Sequence, residues 1–363
     1  MTASTASQAA PVLDLPGIRR AVDTALEEFL GHKAGTAADG HLPGEITELL
    51  HSFLFAGGKR LRPLLCVLGW YAAGGHGDPR PVVRVAASLE MFHAFALIHD
   101  DVMDRSAVRR GQPTLHRQLA ALHGDGRDRE EGEHLGTGAA ILVGDLALAW
   151  SDELLHAEGV GWGQLARVRP LVDAMRTEVM YGQYLDLLAT GRLTGEVAPA
   201  LEVIRYKTAK YTVERPLHIG AALADADATV LAACTAFALP VGEAFQLRDD
   251  LLGAFGESET TGKSRLDDLR EGKHTVLIAL ALQHADSGQR ATLRALVGNP
   301  ALTDGDAARI RGILTTTGAR DKVEQMIRTC CRRARHALDT APFPPAATDA
   351  LRYIADAATT RTS

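Results

Sequence analysis

The stretch MFHAFALIHDDVMD, residues 91–104, decides the fold of this chain. Its first half is too apolar for a solvated helix face and predicts a buried helix. Asp100 and Asp104 are four residues apart, so on a helix their carboxylates share one face, where unpaired like charges repel. Mg²⁺ takes oxygen ligands and is often completed by phosphates. Because Arg109 and Arg110 follow, the segment predicts a metal–phosphate site above an apolar pocket. The alternative is a solvated acidic cap with flanking salt bridges.

A second acidic pair repeats this pattern later in the chain. Asp249 and Asp250 follow Gln246 and the apolar stretch from Phe237 to Phe245. Two such clusters, each near the end of an apolar helix, predict carboxylates that face one another across a cavity.

Basic segments of the type that binds phosphate lie around both acidic clusters. The segment from Gly57 to Pro63 combines glycines, which allow close backbone approach, with lysine and arginine side chains. The segment from Arg205 to Lys210 and the lysines at 263 and 273 add further cations. These groups predict binding of a phosphate-bearing substrate.

In this order, the motifs resemble those of the trans-isoprenyl diphosphate synthases, the head-to-tail prenyltransferases also called polyprenyl synthetases. The resemblance covers roughly residues 50 to 280. It implies an all-α fold, a single large helical bundle of the isoprenoid synthase type with a central substrate cavity. The matching segments are Gly57 to Pro63, Asp100 to Asp104 with Arg109 to Gly111, Gly182-Gln183 with Asp186, Lys207-Thr208, Gln246 to Asp250, Gly262-Lys263 with Asp268, and Gly272-Lys273.

The resemblance also implies a role for each matching side chain. Mg²⁺, as three ions per site that Mn²⁺ can replace, is expected on aspartates of both acidic motifs. Prenyl diphosphates are the expected substrates. The implied metal ligands are Asp100, Asp104 and Asp249, supported by Asp101 and Asp250. The residues expected to hold the allylic diphosphate are Arg109, Lys207, Lys263 and Lys273. Those expected to hold isopentenyl diphosphate, without metal, are Lys59, Arg62, His93 and Arg110. Thr208 and Gln246 are expected to steady the allylic cation.

The chain departs from the family pattern at Gly253, where the second motif usually has a third aspartate. The missing carboxylate predicts a metal network that rests on Asp249 and Asp250, with water filling the gap. Glu90 and Asp145 are expected to be buried partners of basic residues. The polar, glycine-rich segment from Gly256 to Gly272 is where a closing lid is expected.

The residues before the first motif bear on product length. Family precedent places the length gate at Phe95 and Ala96, and Phe92 is a further candidate. The combination of one bulky and one small residue at the gate resembles that of geranylgeranyl diphosphate synthases. The alternatives are a farnesyl diphosphate synthase, a terpene cyclase-like relative and a non-catalytic regulatory subunit of a heteromeric synthase. The intact acceptor group opposes the cyclase, and the complete first motif opposes the regulatory subunit.

Bulk properties limit the remaining possibilities. The chain has 363 residues, a net charge of −6 and 46% hydrophobic residues, which predicts a sizeable core and no nucleic-acid partner. We expect a disordered leader at 1–15 and one synthase domain at 16–360. The sequence has no uninterrupted apolar run long enough to span a membrane, so we expect no transmembrane segment. Four cysteines without CxxC spacing favour a reducing cytoplasm. The resemblance implies a homodimer.

Overall fold

The chain folds into packed α-helices, as the sequence predicts. The structure, a computed structural model, describes residues 12–156, 159–256 and 266–359. The first helices are α1 (Leu15–Asp39), α2 (Glu45–Phe55), α3 (Leu61–Ala72), α4 (Arg80–Met103), α5 (Leu115–His123), α6 (Arg129–Leu155), α7 (Trp162–Ala189) and α8 (Val197–Val203). After a π-helix (Ile204–Glu214) come α9 (Arg215–Leu223), α10 (Ala228–Phe255), α11 (Asp267–Glu271), α12 (Val276–His284), α13 (Ser287–Leu296), α14 (Asp304–Thr316), α15 (Ala319–Thr340) and α16 (Pro345–Thr359). Between α4 and α5, the antiparallel strands β1 (Val108–Arg109) and β2 (Gln112–Pro113) form a hairpin.

Helix α4 forms the centre of the fold. A proline in its first turn favours helix initiation, because the proline nitrogen has no hydrogen to leave unpaired. Most of its side chains are buried, including Val85, Met91 and Ile98. It packs against α1, α3 and α6. This burial on several sides is what the apolar first half of the 91–104 stretch predicts.

Helix α10 carries the second acidic motif and packs against the π-helix and α15. Asp227 caps its first turn by accepting a hydrogen bond from the backbone N–H of Val230. A shared core joins Leu64 of α3, Phe237 of α10 and Leu351 of α16. Distant parts of the chain therefore pack into the same hydrophobic core.

The π-helix between α8 and α9 widens the backbone where two predicted site residues, Lys207 and Thr208, occur. π-Helical turns are rare and are often found at functional sites. Gly182 of α7 allows close packing here, since a Cβ at that position would lie 2.4 Å from the backbone nitrogen of Lys207. The close approach of the two helices fixes the position of the Lys207 backbone, from which its side chain extends.

Helices α4 and α10 are long and apolar enough, by length and composition alone, to cross a membrane. Buried core helices satisfy the same criteria, and 72% of the apolar window of α4 is buried inside the protein. Helix α4 carries the first acidic motif, and helix α10 carries the second. The apolar surface of α4 is thus used for packing in the core.

Candidate active site

A cavity of about 700 Å³ lies between α4, α10 and the loop before α3. Helix α4 contributes Glu90, His93 and Leu97, which recur at helical spacing and so share one face. Helix α10 contributes Asp249 and Asp250. The further lining residues include Lys59, Arg62, Arg109, Arg110, Gln246 and Lys273. The predicted second acidic motif and five of the predicted phosphate-binding cations (Lys59, Arg62, Arg109, Arg110 and Lys273) thus line one cavity.

The carboxylates of the first acidic motif are paired with cations. Lys207 Nζ lies 3.1 Å from Asp100 Oδ1, and Arg109 Nε lies 2.7 Å from Asp101 Oδ2. Lys273 Nζ lies 2.9 Å from Asp104 Oδ2. Burial raises the pKa of Asp100, but Lys207, Lys273 and Arg109 outweigh it and hold that pKa below its usual range. Asp100 is therefore ionised at neutral pH.

Each of the two lysines bridges a pair of carboxylates. Lys207 also contacts Asp186 at 2.6 Å, and Lys273 also contacts Glu271 at 2.8 Å. Burial lowers the pKa of Lys207, but Asp100 and Asp186 raise it above the usual range. Burial also lowers the pKa of Lys273, but Asp104 and Glu271 raise it well above the usual range, so both lysines are charged.

The donor set fits a hard divalent cation. In the described part of the chain, no three acidic, histidine or cysteine side chains converge on one point. Mg²⁺ is usually held by one or two carboxylates, with substrate phosphates and water completing its shell. Asp100 and Asp104 on one side and Asp249 on the other provide such carboxylates.

The second motif contains a chain of hydrogen bonds. Thr208 Oγ1 donates to Gln246 Oε1 at 2.7 Å, and Gln246 Nε2 donates to Asp250 Oδ1 at 2.9 Å. Burial raises the pKa of Asp250 to about 7, despite the hydrogen bond from Gln246, and the charges of Asp268, Asp249 and Asp186 add to the rise. This side of the cavity therefore carries an excess of negative charge that a cation would relieve.

The four residues predicted to bind the acceptor all line the cavity: Lys59, Arg62, His93 and Arg110. The Arg62 guanidinium lies 4.3 Å from the ring centroid of Tyr211, and His93 Nδ1 lies 3.2 Å from the Tyr211 hydroxyl. Burial lowers the pKa of His93 well below its usual range, and Arg62, Arg109 and Arg110 lower it further. His93 is therefore neutral at pH 7 and able to hydrogen-bond without adding charge.

The loop that carries Lys59 is held by a buried ion pair. Arg60 contacts Glu90 at 2.9 Å and Asp23 at 2.7 Å, and the side chains of Arg60 and Glu90 are each 5% exposed. Gly58 has a φ of +135°, a conformation that favours glycine. The buried role predicted for Glu90 is confirmed. Arg60 was not singled out in the sequence, although its place beside Lys59 was a signal.

Three further residues of the site were missed or only partly recognised. Asp186 matched the family pattern without an assigned role, and it pairs with Lys207. Glu271 precedes the Gly272-Lys273 match and pairs with Lys273. Tyr211, which contacts His93, follows the Lys207-Thr208 match, and its helical spacing was the available signal.

The expectation for Asp145 was wrong. Its side chain is 57% exposed on α6, and it lies 3.6 Å from His99 rather than beside a lysine or arginine. His99 Nε2 also lies 3.0 Å from the carbonyl oxygen of Ile141. His99 therefore links α4 to α6 and has a packing role.

The gap expected at Gly253 is occupied by protein. A Cβ on Gly253 would lie 1.9 Å from Oδ2 of Asp268 and 3.0 Å from its Cγ. The expectation of a water-filled vacancy was therefore wrong, because the side chain of Asp268 lies there.

The candidates for the length gate lie away from the lining of this cavity. Phe92 and Phe95 are 1% and 8% exposed, and their ring centroids are 5.2 Å apart. The ring of Phe95 also lies 4.7 Å from that of His99, on the α6 side of α4. Ala96 is half-buried and precedes the cavity-lining Leu97. The gate assignment stays a prediction, and the contact of Phe95 with His99 directs its ring towards α6.

Lys263 and most of the predicted lid, residues 257–265, lie outside the described residues. The rest of that segment includes α11, which leads directly to Lys273. The structure thus brings together every predicted diphosphate-binding and metal-binding residue that it describes.

Comparisons with known proteins agree with this geometry. A family model described as polyprenyl synthetase matches residues 43–314. A geranylgeranyl pyrophosphate synthase from Corynebacterium glutamicum, solved with isoprenyl diphosphate and magnesium, superposes with a TM-score of 0.92. It is 41% identical, and the match covers 96% of this chain and 100% of that one.

Two curated relatives carry the names of other products. A geranylfarnesyl diphosphate synthase from Aeropyrum pernix is 35% identical over 79% of this chain and 85% of its own length. A (2E,6E)-farnesyl diphosphate synthase from Mycobacterium bovis is 34% identical over 72% of this chain and 68% of its own length. The second acidic motif lines the cavity, and the first is ion-paired with the cavity-lining Arg109 and Lys273. With this geometry and these matches, the chain belongs to the polyprenyl synthetase family.

Proposed function

We propose that this prenyltransferase condenses isopentenyl diphosphate with dimethylallyl, geranyl and farnesyl diphosphates to give geranylgeranyl diphosphate. The observation that carries the proposal is the presence of two separate groups of charged side chains at one cavity, each suited to a diphosphate. One group pairs carboxylates with lysines, as at Asp104 and the cavity-lining Lys273. The other consists of Lys59, Arg62 and Arg110 around neutral His93.

The first group suits the allylic diphosphate. Ionisation of this substrate breaks its C–O bond, and negative charge develops on the leaving diphosphate. Bound Mg²⁺, as three ions that Mn²⁺ can replace, would supply positive charge to that leaving group. Arg109, Lys207 and Lys273 lie beside the carboxylates. They can also donate hydrogen bonds to the oxygens of the leaving diphosphate.

The second group suits the acceptor. Burial lowers the pKa of Arg110, Glu90 opposes this, and Arg109, Arg60 and Arg62 lower it further. A diphosphate there would relieve this repulsion between cations. The double bond of the acceptor then attacks the allylic cation, and a proton is lost to the departed diphosphate or to a nearby base.

Side chains in and beside the cavity can protect the cation. The Thr208 hydroxyl donates a hydrogen bond to the cavity-lining Gln246, so its lone pairs remain available to face a positive charge. Leu97, Phe245 and Leu252 supply apolar wall, which keeps water from quenching the cation.

Replacing Arg110 with alanine should raise KM for isopentenyl diphosphate on the order of ten- to a hundredfold, and KM for the allylic substrate much less. The change removes a charge-assisted contact of about 1.5–3 kcal/mol. Initial rates with each substrate varied separately provide the measurement. Alanine at exposed Arg105 is the matched control. Equal losses for both substrates would contradict separate diphosphate sites.

The product is identified by incubating the enzyme with isopentenyl diphosphate, Mg²⁺ and each allylic primer, then separating the dephosphorylated alcohols. We expect geranylgeraniol as the main final product. The small side chain of Ala96 at the predicted gate supports this length, as does the likeness to the C. glutamicum enzyme. Accumulated farnesol would favour a farnesyl diphosphate synthase, and no condensation would refute the proposed function.

Ala96→Phe should shift the product towards farnesyl diphosphate, because a ring beside Leu97 would shorten the space for the growing tail. Phe95→Ala is the comparison. Its ring packs in the core, so its loss should lower stability by roughly 3–5 kcal/mol with the product unchanged. Melting temperature and product distribution are measured together. Longer products from Phe95→Ala would place the gate at Phe95, and an unchanged product from Ala96→Phe would exclude Ala96.

We further infer a homodimer and a single synthase domain over 16–360. Exposed apolar side chains concentrate on two neighbouring helices, with Ile141 and Leu142 on α6 and Tyr181, Tyr184 and Leu188 on α7. Exposed apolar side chains in this number favour burial against a second copy. Light scattering of the purified protein measures its mass directly.

The proposed location is the cytoplasm. All four cysteines, which the structure describes, are free thiols, and burial raises the pKa of Cys234 to about 12. Three of the four thiols are buried, and free buried thiols are consistent with a reducing compartment.

A further inference from the structure

The side chain of Thr212, on the π-helix, lies at the cavity without belonging to any of the matching sequence motifs. Thr212 is 2% exposed and is one of the residues that line the cavity. Its Oγ1 accepts a hydrogen bond of 2.7 Å from Nη2 of Arg62, a residue 150 positions earlier in the chain. Thr212 therefore contacts one of the four residues predicted to bind the acceptor.

Two consecutive residues of the π-helix hold the same guanidinium group. The guanidinium of Arg62 lies 4.3 Å from the ring centroid of Tyr211, and one of its nitrogens donates to Thr212. A π-helix turns through a smaller angle per residue than an α-helix, because its hydrogen bonds span five residues rather than four. Neighbouring side chains therefore leave the π-helix in more similar directions, which lets both of them reach Arg62.

The hydroxyl of Thr212 orients Arg62 without neutralising it. Arg60, two positions before Arg62, pairs with the carboxylates of Glu90 and Asp23. Among the residues that the structure describes, no carboxylate forms an ion pair with Arg62. A threonine hydroxyl is uncharged, so the positive charge of Arg62 stays available to an anion in the cavity.

The shape of the guanidinium makes this contact effective. An arginine side chain has many rotamers, but its guanidinium is a planar, rigid set of donors. Because Thr212 fixes one nitrogen and the ring of Tyr211 fixes one face, the remaining N–H groups keep fixed directions. Arg62 lines the cavity in this orientation.

We propose that Thr212 is a positioning residue for the acceptor, because its hydroxyl holds the Arg62 guanidinium in the orientation that receives the diphosphate of isopentenyl diphosphate. Thr212 acts through Arg62 and has no part in binding the allylic substrate. This inference rests on the proposed function, in which Arg62 holds the acceptor.

Thr212→Val tests this role, because valine keeps the shape of the side chain and removes the oxygen that accepts from Arg62. We expect KM for isopentenyl diphosphate to rise roughly three- to tenfold, the effect of one lost hydrogen bond. The turnover number and KM for the allylic substrate should stay within about twofold of the wild-type values, since the lost contact serves acceptor binding alone. Initial rates are measured with each substrate varied while the other is saturating.

Two further variants separate positioning from packing. Thr212→Ser keeps the hydroxyl and should restore the wild-type KM for isopentenyl diphosphate. Thr47→Val is the matched control, because Thr47 is also buried and donates one hydrogen bond of 2.7 Å, to the carbonyl oxygen of Gly44 on the chain before α2. Its hydroxyl contacts no predicted acceptor-binding residue, so its acceptor KM should be that of the wild type.

A double-mutant cycle tests whether Thr212 acts through Arg62. Arg62→Ala alone should lower kcat/KM for isopentenyl diphosphate. Adding Thr212→Val to Arg62→Ala should cause no further loss, because the hydroxyl then has no guanidinium to orient.

Several results would overturn the proposal while leaving the proposed function intact. They are an unchanged acceptor KM in folded Thr212→Val, an equal rise of KM for both substrates, failure of Thr212→Ser to restore the acceptor KM, and an additive loss in the double variant. If valine does not fold at this position, Thr212→Ala is judged by the same criteria. A wild type that does not condense isopentenyl diphosphate would refute the proposed function itself, which is a distinct result.

Discussion

Replacing Asp100 with alanine should lower the turnover number on the order of a thousandfold while the protein stays folded. The carboxylate is the predicted direct ligand for the cation that stabilises the leaving diphosphate. Its removal is tolerated by the fold, because Lys207 keeps Asp186 and Arg109 keeps Asp101 as partners. Turnover is measured at saturating Mg²⁺, and thermal melting reports the fold.

Asp145→Asn is the control for this loss of charge. Asp145 lies on α6 and is more than half exposed, so its replacement should leave turnover unchanged. Full activity of Asp100→Ala at saturating Mg²⁺ would refute the metal assignment. An unfolded Asp100→Ala would instead show that its pairing with Lys207 is structural.

Replacing Glu90 with glutamine should lower the free energy of unfolding by roughly 3 kcal/mol, because the buried guanidinium of Arg60 loses its buried charged partner and keeps only the more exposed Asp23. The loop that carries Lys59 would also lose its anchor. We therefore expect a higher KM for isopentenyl diphosphate in addition to the lost stability. Urea denaturation and acceptor kinetics provide the two measurements.

Asp23→Asn is the matched control for the other side of this ion pair. The Asp23 side chain is 35% exposed, so its contact with Arg60 should contribute no more than about 1 kcal/mol. If Glu90→Gln unfolds at the same urea concentration as the wild type, the ion pair does not anchor the loop.

The sequence predicted the helices and both acidic motifs because these depend on local spacing. The spacing of the apolar residues before Asp100 predicts a buried α-helix. Four-residue spacing places Asp100 and Asp104 on one face wherever the helix lies. The grouping of Lys59, Arg62 and Arg110 was reached through the family resemblance, since nothing in their separation along the chain joins them.

Other features could not be read from spacing. The π-helix at Lys207 depends on how tightly α7 packs against it at Gly182. Phe95 and Ala96 are neighbours in sequence, but the packing of α4 against α6 turns Phe95 towards His99. The direction of a side chain in a helix buried on several sides is set by its neighbours.

By itself, the sequence determined an all-α chain with two cation-attracting acidic motifs and basic segments around them, because helical periodicity and charge are properties of short segments. Only the tertiary structure decided which charges meet. It placed Lys207 between Asp100 and Asp186, and it placed Asp268 in the space left by Gly253. These contacts join residues far apart in the chain, and their distances depend on how whole helices pack.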